Sequence, residues 1–95
     1  MKNLNKIKTY VGFAIRNRSI IYGVDSIKEA EPEIIFYSEE LMKNSENKLL
    51  EFAKNKKCFI CKLSKEEITE ILSNLNIKAF AIKNKELAKA IKDNL

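Results

Sequence analysis

Apolar residues near the start of the chain, Leu4, Ile7, Val11, Ala14 and Ile15, recur at three- and four-residue spacing. That period predicts an amphipathic helix. The pattern then changes: "SIIYG" is a short apolar run ending on Gly23 and predicts a strand. "VDSIKEA" sets Val24 and Ile27 on one side of a short helix, which Pro32 ends because the residue before a proline is pushed out of the helical region. "EIIFYS" is continuously apolar with β-branched and aromatic residues, the pattern of a strand covered on both faces.

The next segment, "EELMKN", predicts a loop or frayed turn, with Ser45 capping a helix "ENKLLEFAKNKK" that turns Leu49, Leu50, Phe52 and Ala53 inward. "CFICKL" is a third strand. "SKEE" is a capping box: Ser64 accepts from the amide of Glu67 and the Glu67 side chain reaches back, starting a helix that buries Ile68, Ile71 and Leu72. "IKAFAI" is a fourth strand, and Asn84 opens a last helix with Leu87, Ala88 and Ile91 inward. Helices and strands alternate through short connections with no repeat or linker, which predicts one α/β domain over residues 1–95, a three-layer α/β/α sandwich.

Composition adds limits to this picture. A chain of 95 residues with 45% apolar and 33% charged positions can bury roughly 60–65% of its unfolded surface and needs neither disulfide nor metal to fold. No apolar run is long enough to span a bilayer. The opening "MKNLNKIKTYVGFAIRNR" starts with lysine as a signal peptide does, but Lys6 and Lys8 interrupt its apolar part and no small-residue cleavage site follows, so a mature cytoplasmic protein is expected. The net charge of +5 resides in this first segment, where Lys2, Lys6, Lys8, Arg16 and Arg18 have no acidic companion. An electropositive end of this kind suits an RNA backbone or another acidic surface.

Cys58 and Cys61 form "CFIC" within a predicted strand, where positions three apart face opposite sides, so both are expected to be structural. Zinc would want four ligands, and the chain has no histidine and no second cysteine pair, so neither metal nor cofactor is expected. The missing histidine also excludes His-based catalysis. The carboxylate pairs Glu39–Glu40 and Glu66–Glu67 are sequence neighbours that point apart, and two glycines do not make a phosphate loop. No enzymatic activity is expected.

Three stretches together resemble the ribosomal L-seven-Ae and L-thirty-e superfamily, most closely its short bacterial YlxQ-type members. They are "GFAIRN" from Gly12 to Asn17, "IIYGVDSIKEA" from Ile20 to Ala30, and "IIFYSEELMKNSENKL", which supplies Glu40, Lys43, Asn44, Ser45, Lys48 and Leu49 in register. The resemblance covers nearly the whole chain. It implies a mixed four-stranded sheet between helices and, in many members, binding to kink-turn RNA, with ribosome or translation-factor partners.

Kink-turn binders of this family usually carry G-x-N-E-x-x-K at the strand-to-helix turn, and the matching positions here are Gly23, Asp25, Ser26 and Glu29. Asp25 lacks the amide donor of an asparagine, Ser26 is shorter than a glutamate, and Glu29 repels phosphate where a lysine would attract it. Lys28 lies one residue away, about 100° around a helix axis. A glycine-containing "LGxAxG" of the family is "ITEILS" here, and the following loop "NLNIK" offers Leu75 and Ile77 to unstacked nucleotides. The implied RNA-binding set is therefore Arg16, Arg18, Gly23, Asp25, Ser26, Lys28, Lys43, Asn44, Lys48, Leu75 and Ile77. Its partner would be a structured RNA, ribosomal or regulatory, with no membrane or metal. The alternative from another class is a protein-interaction module of a translation or RNA-processing complex, presenting Glu29, Glu31, Glu39 and Glu40 to a basic partner.

Overall fold

A computed structural model describes residues 2–73 and 76–95. The elements run α1 (Leu4–Arg16), β1 (Ile20–Tyr22), α2 (Val24–Glu29), β2 (Ile34–Ser38), α3 (Lys43–Lys56), β3 (Phe59–Leu63), α4 (Lys65–Leu72), β4 (Ala79–Ile82) and α5 (Lys85–Lys92). The four strands form one mixed sheet in the order β1-β4-β2-β3. β4 is antiparallel to both β1 and β2, while β2 and β3 run parallel, Ile34 opposite Phe59 and Ser38 opposite Leu63.

The continuous apolar runs mark the two central strands. Every residue of β2 and β4 is buried, as expected where helices cover both faces. On one face Phe36, Phe80, Ile34, Ile82 and Leu63 meet Ile7, Val11 and Ala14 of α1, Ile68 and Ile71 of α4, and Ile91 of α5. Phe36 and Phe80 stack at 5.0 Å between centroids. On the other face Ile35, Tyr37, Ala79 and Ala81 meet Ile27 of α2 and Leu49 and Ala53 of α3. The α/β/α layering follows from this division.

Local signals hold at several boundaries. The Ser64 box forms in full, Glu67 N–H donating to Ser64 Oγ at 3.1 Å and Ser64 N–H donating to the Glu67 carboxylate at 2.9 Å. Asn84 Oδ1 accepts from Leu87 N–H at 2.9 Å, which caps α5.

Elsewhere the structure corrects the sequence reading. α3 starts at Lys43, with Met42 as its cap residue, so Ser45 lies inside the first turn and not at the cap. The cause is a tight turn at the end of β2, in which Leu41 N–H donates to Ser38 O and Glu40 N–H to Ser38 Oγ, which delivers the chain into the helix three residues earlier. Ile15 and Leu50 are exposed. Ile15 lies about 80° around the helix from Ile7, at the edge of the buried stripe, and Leu50 is about 100° from Leu49. Phe52 and Leu72 are only partly buried. Cys58 precedes β3, and the two thiols do pack on opposite faces, Cys58 beside the α2–α3 layer and Cys61 beside the other; burial pushes both thiols up.

Candidate nucleic-acid interface

Strand direction sorts the loops into two ends of the sheet. At one end Gly23 N–H donates to Ala79 O, Ser38 N–H to Lys78 O, and Glu39 N–H to Leu63 O. These bonds bring the turn after β1, the turn after β2, the start of α4 and the loop before β4 together. At the other end Lys83 N–H donates to Ser19 O and Glu33 N–H to Ile82 O.

Gly23 sits at φ 89° and ψ 150°, in a region essentially restricted to glycine. A Cβ there would meet nothing within 4 Å, so the glycine is required by backbone conformation and by no protein neighbour. Its carbonyl accepts from Ile27 N–H at 3.0 Å, closing the first turn of α2. The open space leaves the turn accessible from outside.

Beside Gly23 a groove of about 320 Å³ is lined by Tyr22, Val24, Leu41, Asn76, Ile77 and Lys78. Its walls are mainly apolar, and 42% of the Tyr22 surface is open to solvent. Two residues along from Leu41, the exposed side chain of Lys43 begins α3, and Met42 between them is 72% exposed.

The proposed RNA-binding residues do not form one cluster. Gly23 and Ile77 share the groove. Asp25 and Ser26 are exposed on α2, and Asn44 is exposed beside Lys43. Lys28 and Lys48 line a different hollow, of about 210 Å³, between α2 and α3 with Glu51, Phe52 and Asn55. Arg16 and Arg18 lie before β1, at the opposite end of the sheet from Gly23, where the Arg16 guanidinium sits 4.8 Å from the Phe13 ring centroid. Leu75 lies outside the described residues. Sequence reasoning missed Tyr22, Leu41 and Lys78. Only the exposed aromatic at the end of "SIIYG" was visible as a signal, since a strand end next to glycine is open on one side.

Under this end lies a polar network. Tyr37 O–H donates to Glu46 Oε2 at 2.7 Å, with Lys62 Nζ at 3.5 Å and Lys43 Nζ at 3.9 Å from the same carboxylate. Burial, then the bond to Glu46, push the Tyr37 phenol up to about 12. The Tyr37 hydroxyl, with the two lysines nearby, holds Glu46 below the usual carboxylate range. The network ties α3 to β2 and β3 and draws part of the Lys43 charge inward. Glu39 is also engaged, its carboxylate accepting from Lys65 N–H at 3.2 Å at the start of α4.

No protein-family model matches the chain, and no curated protein matches it. Among solved structures it is similar to a protein of unknown function from Bacillus halodurans, with a TM-score of 0.81 and 13% identity over 93% of this chain and 94% of that one. At that identity the likeness shows the fold alone. Among the described residues, no helix is long and apolar enough to cross a membrane.

Proposed function

We propose that the protein is an RNA-binding module of the ribosomal L-seven-Ae and L-thirty-e type, gripping structured RNA at the Gly23 end of its sheet. The observation that carries the reading is the convergence of three loops, after β1, after β2 and before β4, on one apolar groove beside a glycine-only turn. Tyr22, Val24, Leu41 and Ile77 offer apolar surface on which splayed bases can rest, and Lys43 and Lys78 stand nearby for phosphates. Asp25 and Ser26 present no amide and no long carboxylate toward base edges, so shape and backbone contacts dominate over base readout.

The test is an anisotropy titration against a kink-turn RNA and a matched duplex lacking the kink, at two salt concentrations. Contact through about four to six cations gives log affinity falling with log salt at a slope near −3 to −4. Lys43→Gln with Lys78→Gln weakens binding to every RNA while the thermal midpoint hardly moves, and Asp25→Asn with Ser26→Glu and Glu29→Lys raises the preference for the kinked RNA. Equal weak binding to both RNAs, unchanged by these substitutions, would refute the reading.

One observation favours a second reading, a protein-interaction module. Asp25 and Glu40 are exposed near this end among the lysines, and the exposed Tyr22 and Met42 give it apolar area. A partner protein captured through this groove with no salt-dependent RNA binding would establish that alternative.

A further inference from the structure

At the end of the sheet opposite Gly23, a hollow of about 240 Å³ is lined by Lys57, Lys85, Lys89 and Lys92 around Phe59, Ile34 and Ala88, with Glu33 the one carboxylate among its lining residues. The lysines come from two places. Lys57 follows α3, and Lys85, Lys89 and Lys92 stand at i, i+4 and i+7 on one face of α5. None of the four lies within 4.0 Å of a carboxylate oxygen among the described residues. Gathering four ammonium groups without pairing them raises the local potential and leaves the hollow complementary to an anion.

The dimensions select among anions. Lys85 to Lys92 spans about 10 Å of helix axis, too far for one phosphate group to satisfy and suited to successive phosphates of a chain. The floor is aromatic: Phe59 is 36% exposed, and the Lys92 ammonium lies 4.9 Å from its ring centroid. A base that stacks on this half-open ring displaces the Lys92 ammonium from it toward a phosphate, so the ring and the surrounding lysines serve one strand together.

Lys57 adds a separate observation. It ends α3 at φ 55°, a left-handed position where glycine is the usual residue, and it lines this hollow.

We infer that this hollow binds single-stranded RNA, with its phosphates among Lys57, Lys85, Lys89 and Lys92 and a base against Phe59. The inference uses no residue of the Gly23 groove and stands whether or not that groove grips a kinked RNA. No bond is made or broken.

The probe is a fluorescein-labelled oligouridylate titrated by anisotropy into the full chain, with heparin and a polyglutamate peptide as polyanions lacking bases. The expected affinity falls with salt at a slope near −3 for about four phosphates at −0.7 each. Lys89→Gln with Lys92→Gln reduces the magnitude of the slope by about 1.4. Phe59→Ala weakens the oligonucleotide roughly tenfold and leaves heparin binding unchanged. Lys57→Gly is the variant that keeps folding out of the comparison: it relieves the left-handed lysine, so its thermal midpoint holds or rises while its RNA affinity drops. Lys6→Gln with Lys8→Gln on α1 removes the same charge elsewhere and leaves binding intact.

Three results would overturn the inference: equal loss from the α1 pair and the hollow pair, no effect of Phe59→Ala, or polyglutamate binding as tightly as the oligonucleotide. A fourth would too: loss confined to Lys43→Gln with Lys78→Gln would assign RNA to the Gly23 end and remove it from this hollow.

Discussion

Gly23→Ala isolates what the turn after β1 demands. At φ 89° and ψ 150° an alanine is strained, and holding a side chain in so sparsely populated a region costs on the order of 1–3 kcal/mol. The new methyl would meet nothing within 4 Å, so neither clash nor added packing alters that figure. Alanine restricts the unfolded chain more than glycine does, which offsets about 0.4–1 kcal/mol. A net loss of about 1–2 kcal/mol follows. For a domain of this size the unfolding entropy is on the order of 0.2 kcal/mol per kelvin, so the thermal midpoint falls by about 5–10 °C in a far-ultraviolet dichroism melt. Gly12→Ala is the matched control with the opposite sign. Gly12 is inside α1, where an added Cβ makes only an ordinary 3.8 Å contact with Arg16, and better helix propensity stabilises by about 0.5–1 kcal/mol. Gly23→Ala melting within a degree of the parent would mean that the turn relaxes to common dihedrals, and the conformational account of Gly23 would fail.

Other substitutions read the remaining layers. Tyr37→Phe removes the 2.7 Å bond to Glu46 and lowers stability at neutral pH by about 1–2 kcal/mol, measured by urea unfolding. Because the folded Tyr37 pKa is raised to about 12, its contribution is intact below the ordinary value near 10 and fades as pH climbs through 12; the parent protein loses about 2–3 kcal/mol over that window that Tyr37→Phe does not. A parent and variant with parallel alkaline profiles would contradict this. On the acid side, Glu67 is held below its usual range first by the Ser64 amide and also by Lys2, so its contribution is present above the ordinary carboxylate range and lost as pH falls through the lowered value; Glu67→Gln flattens that limb of a pH titration of stability. Ser64→Ala, which deletes the acceptor for Glu67 N–H, lowers stability by about 1 kcal/mol in the same unfolding assay. Phe80→Ala opens a cavity beneath the stacked Phe36 and costs about 3–5 kcal/mol, enough to leave little folded protein at moderate urea.

Some of this structure was legible in the sequence because the signals were local. The runs "IIFY" and "AFAI" are apolar at every position, which only a strand covered twice can use, and both became central strands. The Ser64 box needs only four consecutive residues to specify a helix start. Boundaries that depend on two competing local bonds were less legible. Ser45 is a good cap residue, yet the Ser38 turn ends so close to Lys43 that α3 starts there, with Met42 at the cap. Leu50 and Ile15 have the character of core residues but lie at angles the sheet does not reach.

The site was harder to read than the fold because it is assembled across distance. Tyr22, Leu41 and Ile77 share a groove only because β4 inserts between β1 and β2 and aligns their loops. Charge is regrouped by the fold for the same reason. In the sequence the surplus appears confined to residues 1–18, whereas in the fold Arg18 and Lys83 stand near the end of the sheet that also gathers Lys57, Lys85, Lys89 and Lys92, residues spread over more than a third of the chain.

This separation has a kinetic consequence if one RNA uses both ends. The lysine-rich hollow has Glu33 as the one carboxylate among its lining residues, while the Gly23 end mixes Lys43 and Lys78 with Asp25 and Glu40. Long-range attraction therefore acts through the lysine-rich end, and shape-dependent contacts through the Gly23 groove. Electrostatic steering changes association rates and is screened by salt, whereas close-range fit changes dissociation. The molecule is 30 Å in its longest extent, so a single RNA can reach from one end to the other. In stopped-flow measurements Lys89→Gln with Lys92→Gln then slows association in a salt-dependent manner, while Tyr22→Ala speeds dissociation with little change in the association rate. Both variants acting on the same rate constant would show that the two ends do not divide the work of capture and recognition.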